Sequence, residues 1–150
     1  MEANKHTYAA DAIALLQKLI AAPSFSKEED ATAFILFDYL GQNGVTPHRH
    51  LNNVWATNKN FDPAKPTILL NSHHDTVKPN AGYTLDPYNP IIKDGKLYGL
   101  GSNDAGASLV SLLHVFLHYY NASNLSYNLI YAVTAEEEIS GKHGIESLVP

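Results

Sequence analysis

Ile68-Leu69-Leu70-Asn71-Ser72-His73-His74-Asp75-Thr76-Val77 is the stretch on which the reading of this chain turns. An apolar run of strand length breaks off into two histidines and an aspartate, which predicts a buried strand whose exit carries side chains able to bind metal. Open α/β sheets hold their ligands where strands leave the sheet. Working outward, Asp104 closes Gly99-Leu100-Gly101-Ser102-Asn103 after a predicted hairpin, and Glu136-Glu137-Glu138 closes the apolar run Leu125 to Thr134. Taken singly, a His-x-Asp, an Asp after glycines and a short acidic run are ordinary turn and surface features. Three such clusters, each at a strand exit, can converge on one rim of one sheet. Imidazole with carboxylate suits zinc, cobalt or manganese better than copper or an iron–sulfur cluster.

Composition narrows the classes. A chain of 150 residues with 45% hydrophobic content can bury one core, which predicts one globular domain or part of a larger one. The formal net charge of −5 is spread along the chain without a basic stripe, so nucleic acid is not an expected partner. With no cysteine, any metal must be held by histidine and carboxylate. The first residues lack a basic start followed by an unbroken apolar stretch, and no run reaches membrane-spanning length. A cytoplasmic protein without membrane contact is the expectation.

In chain order, Thr7 is expected to cap a helix bearing Ile13, Leu15, Leu16, Leu19 and Ile20, which Pro23 stops. Ser26 and Glu29 have the spacing of a capping box before a second helix through Phe34, Ile35, Phe37 and Leu40. Val45 to Thr57 reads as two extended pieces around Asn52-Asn53, with Pro47 marking an edge. Asp94-Gly95 predicts a tight hairpin between Ile91 and Tyr98. Ala105 to Tyr120 predicts a helix whose apolar stripe, Leu109, Leu112, Leu113, Phe116, Leu117 and Tyr120, packs on the sheet. His114 and His118 fall opposite that stripe, lack the Glu of a zincin motif, and are read as solvent-facing. A further helix is expected to begin after Gly144. Alternating strands and helices predict an α/β fold with a largely parallel sheet covered by helices. A dinucleotide-binding reading of Gly99-Leu100-Gly101 fails because Asp104 stands where the third glycine belongs.

Ser72-His73-His74-Asp75-Thr76-Val77, then Tyr98-Gly99-Leu100-Gly101-Ser102-Asn103-Asp104, then Thr134-Ala135-Glu136-Glu137-Glu138 with Gly141 and Gly144, resemble successive motifs of one family. It is the zinc-dependent acetylornithine deacetylase, succinyl-diaminopimelate desuccinylase, aminoacylase and carboxypeptidase G group. Pro23-Ser24-Phe25-Ser26 and Asp86-Pro87-Tyr88 resemble two weaker landmarks of the same group. The resemblance implies a zinc-exopeptidase-like catalytic domain with two divalent metal ions, zinc foremost and cobalt or manganese as alternatives. It implies His73 on one ion, Asp104 bridging both, Glu138 on the second, Asp75 orienting His73, and Glu137 as the general base that takes a proton from the attacking water. An imidazole ligand usually donates its other N–H to a carboxylate, which fits the Asp75 role. Of the neighbours His73 and His74, only one can face the site, because successive side chains on an extended segment point to opposite sides.

Leu100 stands where the family often has Arg, Gly106-Ala107 where it has Lys-Gly, and Glu136 where it has Asp. By the family pattern the remaining metal ligands and a lid and dimerisation domain lie beyond position 150, so the chain is expected to be the N-terminal part of the catalytic domain of a homodimeric enzyme. The run Leu-Asn-Ser-His-x-Asp-Thr-Val-Lys-Pro resembles acetylornithine deacetylases of arginine biosynthesis most, which makes a small N-acyl amino acid the expected substrate. N-succinylornithine, other N-acyl amino acids and dipeptides are the alternatives within the family. A non-catalytic fragment retaining part of a metal site is the alternative outside it.

Overall fold

The computed structural model describes residues 3–149. Helices α1 (Ala3–Ile20) and α2 (Asp30–Gln42) precede strands β1 (His48–His50), β2 (Asn53–Thr57) and β3 (Thr67–His73). A hairpin of β4 (Ile91–Lys93) and β5 (Lys96–Tyr98), helix α3 (Ser108–Tyr119) and strand β6 (Asn128–Thr134) follow. The main sheet has the order β1-β2-β6-β3. The α/β class is as the sequence predicts, but the parallel character is confined to β3 and β6, whose register runs from Thr67 opposite Asn128 to His73 opposite Thr134. The turn at Leu51-Asn52 is too short for a crossover, so β1 and β2 are antiparallel, and β2 joins β6 antiparallel as well.

Strand β6 lies inside the sheet between β2 and β3, and Leu129, Tyr131, Ala132 and Val133 on it are buried. Strand β3 is different. It was expected to be buried, yet it is the sheet edge, and Ile68 and Leu69 remain 43% and 45% exposed. The reason is positional: an apolar run looks the same for an interior strand and for an edge strand with one neighbour and one uncovered face. The helices lie on the other face, where Leu15, Leu36, Leu40, Val54, Leu109, Leu113, Phe116 and Tyr131 form the core. Trp55, Leu69 and Ile130 line a groove on the uncovered face together with Ile145, Leu148 and Val149.

Local predictions fare unevenly. Asp94 and Gly95 have φ of 52° and 73°, the paired left-handed turn that Asp-Gly announces. Thr7 lies inside α1 and is not its cap. Helix α3 begins at Ser108 and not at Ala105, because Asp104 is extended (φ −108°, ψ 102°) within an irregular turn over Ser102–Ala107. Gly101 has φ 74°, and a Cβ on Gly106 would stand 2.5 Å from the Gly101 carbonyl oxygen, so this turn is built for glycine at both places. His118 is exposed as expected. His114 is not. It is buried, its Nδ1 donates to the Val110 carbonyl at 2.8 Å and its Nε2 meets the Tyr39 hydroxyl at 3.1 Å. Tyr8 of α1 and Tyr39 of α2 meet that side of α3, which sequence periodicity on α3 alone does not reveal. The segment after Gly144 makes only a short turn, Ile145–Ser147.

Candidate metal centre

The parallel register ends β3 and β6 side by side, so His73 and the segment after Thr134 leave the sheet at the same edge. His73 points its Nε2 toward Asp104 Oδ1 at 3.1 Å and Glu137 Oε2 at 3.6 Å. Asp104 reaches the spot from the glycine turn ahead of α3. Glu138 completes a group with His73 and Asp104 whose ligating atoms lie within 4.8 Å of one another. The donors are one imidazole and two carboxylates, a set that fits zinc, cobalt or manganese. Burial and then the negative charge of Asp104 raise the Glu138 carboxyl above its ordinary range, with His73 opposing them. Such crowding of carboxylates is the electrostatic setting in which a cation is favoured.

Asp75 is fully buried beside this group. Its Oδ2 accepts from Ser26 Oγ at 2.7 Å and from the Glu138 amide at 3.1 Å, and its Oδ1 accepts from the Glu137 amide at 3.1 Å. His73 Nδ1 sits 3.3 Å from Asp75 Oδ1 and donates to the Asp75 carbonyl at 3.1 Å. Burial alone would push the Asp75 carboxyl up, but the bonds from His73, Ser26 and the two amides outweigh it and bring the group down to about 2. The bond to Asp75 in turn raises His73 to about 9 against the cost of its own burial. Asp75 therefore fixes both the imidazole and the backbone of the two glutamates.

His74 turns the other way. It is buried between Thr32 Oγ1 at 2.8 Å from Nδ1 and the Asn52 carbonyl at 3.0 Å from Nε2. A carbonyl only accepts, so Nε2 carries the proton and Nδ1 accepts from the hydroxyl. Burial lowers the group to about 4, so His74 is neutral where an exposed histidine would be charged. The signs for the metal-free protein are opposite for the two neighbours. The stability His73 contributes is full below its unfolded value of 6.5 and is lost as pH rises through about 9. That of His74 is full above 6.5 and is lost as pH falls through about 4. His74 alone is expected to withdraw on the order of 3 kcal/mol between those limits. Urea unfolding at pH 7 and pH 4.5 checks this: His74→Gln should flatten the acid decline, and an unchanged decline would remove the group from the account.

Residues that sequence reasoning assigned to scaffold turn out to hold the site. Ser26 bonds Asp75 and not the start of α2, whose N-cap is Glu29 with no side-chain capping bond. Asn53 accepts from the Ala135 amide at 2.9 Å through Oδ1 and donates to the His143 carbonyl at 2.6 Å. The Ser26-Glu29 spacing was a signal, but the capping box it resembles is local, whereas the actual partners are far along the chain.

The sequence pattern of peptidase family M20/M25/M40 matches residues 69–150. Among curated relatives, a succinyl-diaminopimelate desuccinylase of Blochmanniella floridana is 29% identical over 147 residues, covering 93% of this chain and 38% of that protein. A succinyl-diaminopimelate desuccinylase 2 of a Ruegeria species is 25% identical, covering 99% of this chain and 39% of that one. The chain thus spans less than two-fifths of the length of these relatives. Among solved structures, an M20 family metallo-carboxypeptidase from Sulfolobus solfataricus matches with a TM-score of 0.72 at 24% identity, over 95% of this chain and 33% of that one. A dinuclear metal-binding peptidase of the M20 family from Bacillus subtilis matches with a TM-score of 0.71 at 17% identity, over 96% of this chain and 39% of that one. With its fold shared by these enzymes and its site-bearing half matched throughout, this chain belongs to peptidase family M20/M25/M40.

Proposed function

We propose that the protein containing this chain is a metal-dependent amide hydrolase that removes the acyl group from an N-acyl amino acid, with acetylornithine as the first candidate substrate. The observation that carries the chemistry is the convergence of His73, Asp104 and Glu138 within 4.8 Å, with Glu137 beside them. His73 and Glu138 would each hold one of two divalent ions, zinc foremost, and Asp104 would serve both. Ions held there supply Lewis acidity and make a water easier to deprotonate. Glu137 accepts one proton of the attacking water and returns it to the leaving nitrogen; the water oxygen bonds to the acyl carbon, the C–N bond breaks, and the water's second proton passes from the new carboxyl to the amine, so that a carboxylate and an ammonium are the products. Asp75 holds the His73 ring and the amides of Glu137 and Glu138, so the base and two of the proposed ligands share a single anchor.

The chain is proposed to be the N-terminal part of that enzyme's catalytic domain. Its share of its relatives' length supports this, as do the uncovered apolar groove at Trp55, Leu69 and Ile130 and the free edge of β3. A succinylated amino acid is the second reading for the substrate, favoured by the names of the desuccinylase relatives.

The experiment offers acetylornithine, a succinylated diamino acid and a dipeptide to the metal-replete full-length protein and measures release of free amine. Turnover of acetylornithine at least about 10-fold above the others in kcat/KM, a difference of about 1.4 kcal/mol in transition-state binding, is the expected result. Preference for the succinylated compound selects the second reading, and no amine from any of them leaves the non-catalytic alternative.

A further inference from the structure

We propose that Glu29 is a positioning residue for the metal-site glutamates, acting through the backbone of Glu136; this rests on the metallohydrolase reading above. Glu29 is fully buried, and no ion pair reaches it among the described residues. A buried carboxylate survives only if its lone pairs are satisfied. Glu29 meets that need with three donors from three parts of the chain. Oε1 accepts from the Lys27 amide at 2.7 Å and from the Glu136 amide at 3.2 Å, and Oε2 accepts from Asn52 Nδ2 at 2.8 Å.

The bond to Glu136 is the one that bears on the site. Glu136 adopts φ 55°, ψ 23°, a left-handed conformation that a glutamate enters only under constraint. That conformation reverses the chain after β6 and starts the turn Glu137–Ile139. The next amides, of Glu137 and Glu138, bond to Asp75. Consecutive N–H groups of Glu136, Glu137 and Glu138 are therefore held by two buried carboxylates, Glu29 on one side and Asp75 on the other. Asp75 fixes where the turn lies. Glu29 fixes the angle at which the chain enters it, and thereby the direction of the Glu137 and Glu138 side chains toward His73.

Asn52 provides the test. Its Nδ2 donates to Glu29 while its Oδ1 accepts from Arg49 Nη2 at 3.0 Å, so its orientation is set from both sides. Glu29→Gln puts an amide NH2 either against Asn52 Nδ2 or against the Glu136 amide, donor facing donor in both cases. Asn52→Asp alone faces Glu29 with a second carboxylate. The double variant Glu29→Gln/Asn52→Asp restores every pair, since the introduced carboxylate accepts from the introduced amide and from Arg49.

The proposal is tested in the full-length protein with Co(II) as the probe, normalised per folded molecule. In Glu29→Gln we expect Co(II) affinity and kcat to fall by about 10-fold to 100-fold, the usual effect of removing an outer partner of a metal site, with KM little changed. The Co(II) absorption spectrum should change with them, and the double variant should recover spectrum, affinity and kcat. Hydrogen exchange at the Glu136, Glu137 and Glu138 amides, read on the same samples, should quicken in Glu29→Gln and slow again in the double variant. A Glu29→Gln protein that is less stable but keeps wild-type affinity, spectrum and kcat per folded molecule assigns Glu29 to the scaffold and overturns the proposal. Wild-type protein that takes up no Co(II) overturns the metallohydrolase reading instead; exchange then decides the remaining point, with a quickened Glu136 amide supporting the hold of Glu29 on the turn and an unchanged one overturning it.

Discussion

Glu137→Gln in the metal-loaded full-length protein is expected to lower kcat by about 10²–10⁴-fold, the range that general-base catalysis supplies, with metal content unchanged. The Glu137 side chain is 60% exposed and its Oε2 stands 3.6 Å from His73 Nε2, so it faces the space beside the proposed ligands without being enclosed by protein. Its amide is tied to Asp75 Oδ1, which anchors the side chain at its root while leaving its tip free to meet a water. Glutamine preserves that anchor, the volume and a hydrogen-bonding oxygen, and removes only the capacity to take a proton. The loss should therefore fall on kcat and leave KM close to wild type, because substrate contacts are not altered. Metal analysis and steady-state kinetics on the same preparation check it. A kcat within a few-fold of wild type would take the base role from Glu137.

The second large effect separates two adjacent histidines. His73→Ala removes the imidazole that faces Asp104 and Glu137, leaving carboxylates as the only donors of the group. Its cost in metal affinity should exceed the roughly 10–100-fold that loss of an outer partner brings, and turnover should vanish with the metal. His74→Ala should act differently. It leaves the Asn52 carbonyl without this buried partner, which costs about 1–3 kcal/mol for an unsatisfied group, while the Thr32 hydroxyl keeps the Glu29 carbonyl at 3.0 Å, and it touches none of the proposed ligands. Metal content and turnover per folded molecule should survive it. Loss of metal in His74→Ala at full folding, with retention in His73→Ala, would reverse the assignment.

What the sequence by itself determined is the set of strand exits. The apolar runs before His73 and before Glu136 end in polar clusters, the Asp94-Gly95 turn delivers the chain toward Asp104, and the periodicity of α3 names its core face, all signals that act over a few residues. That only one of His73 and His74 can face the site also follows locally, from alternation on an extended segment, while the choice of His73 comes from the family resemblance. Tertiary structure alone decided the rest. Strand β3 lies at the sheet edge with Ile68 and Leu69 exposed because its place depends on which strands pair, a choice made by partners far along the chain. His114 is buried because Tyr39 of another helix reaches it. Ser26 and Glu29, spaced like a local cap, instead bond Asp75 and the Glu136 amide, 49 and 107 residues away. Local signals are written in neighbouring residues, whereas the satisfaction of a buried carboxylate depends on donors that only the folded chain brings within reach.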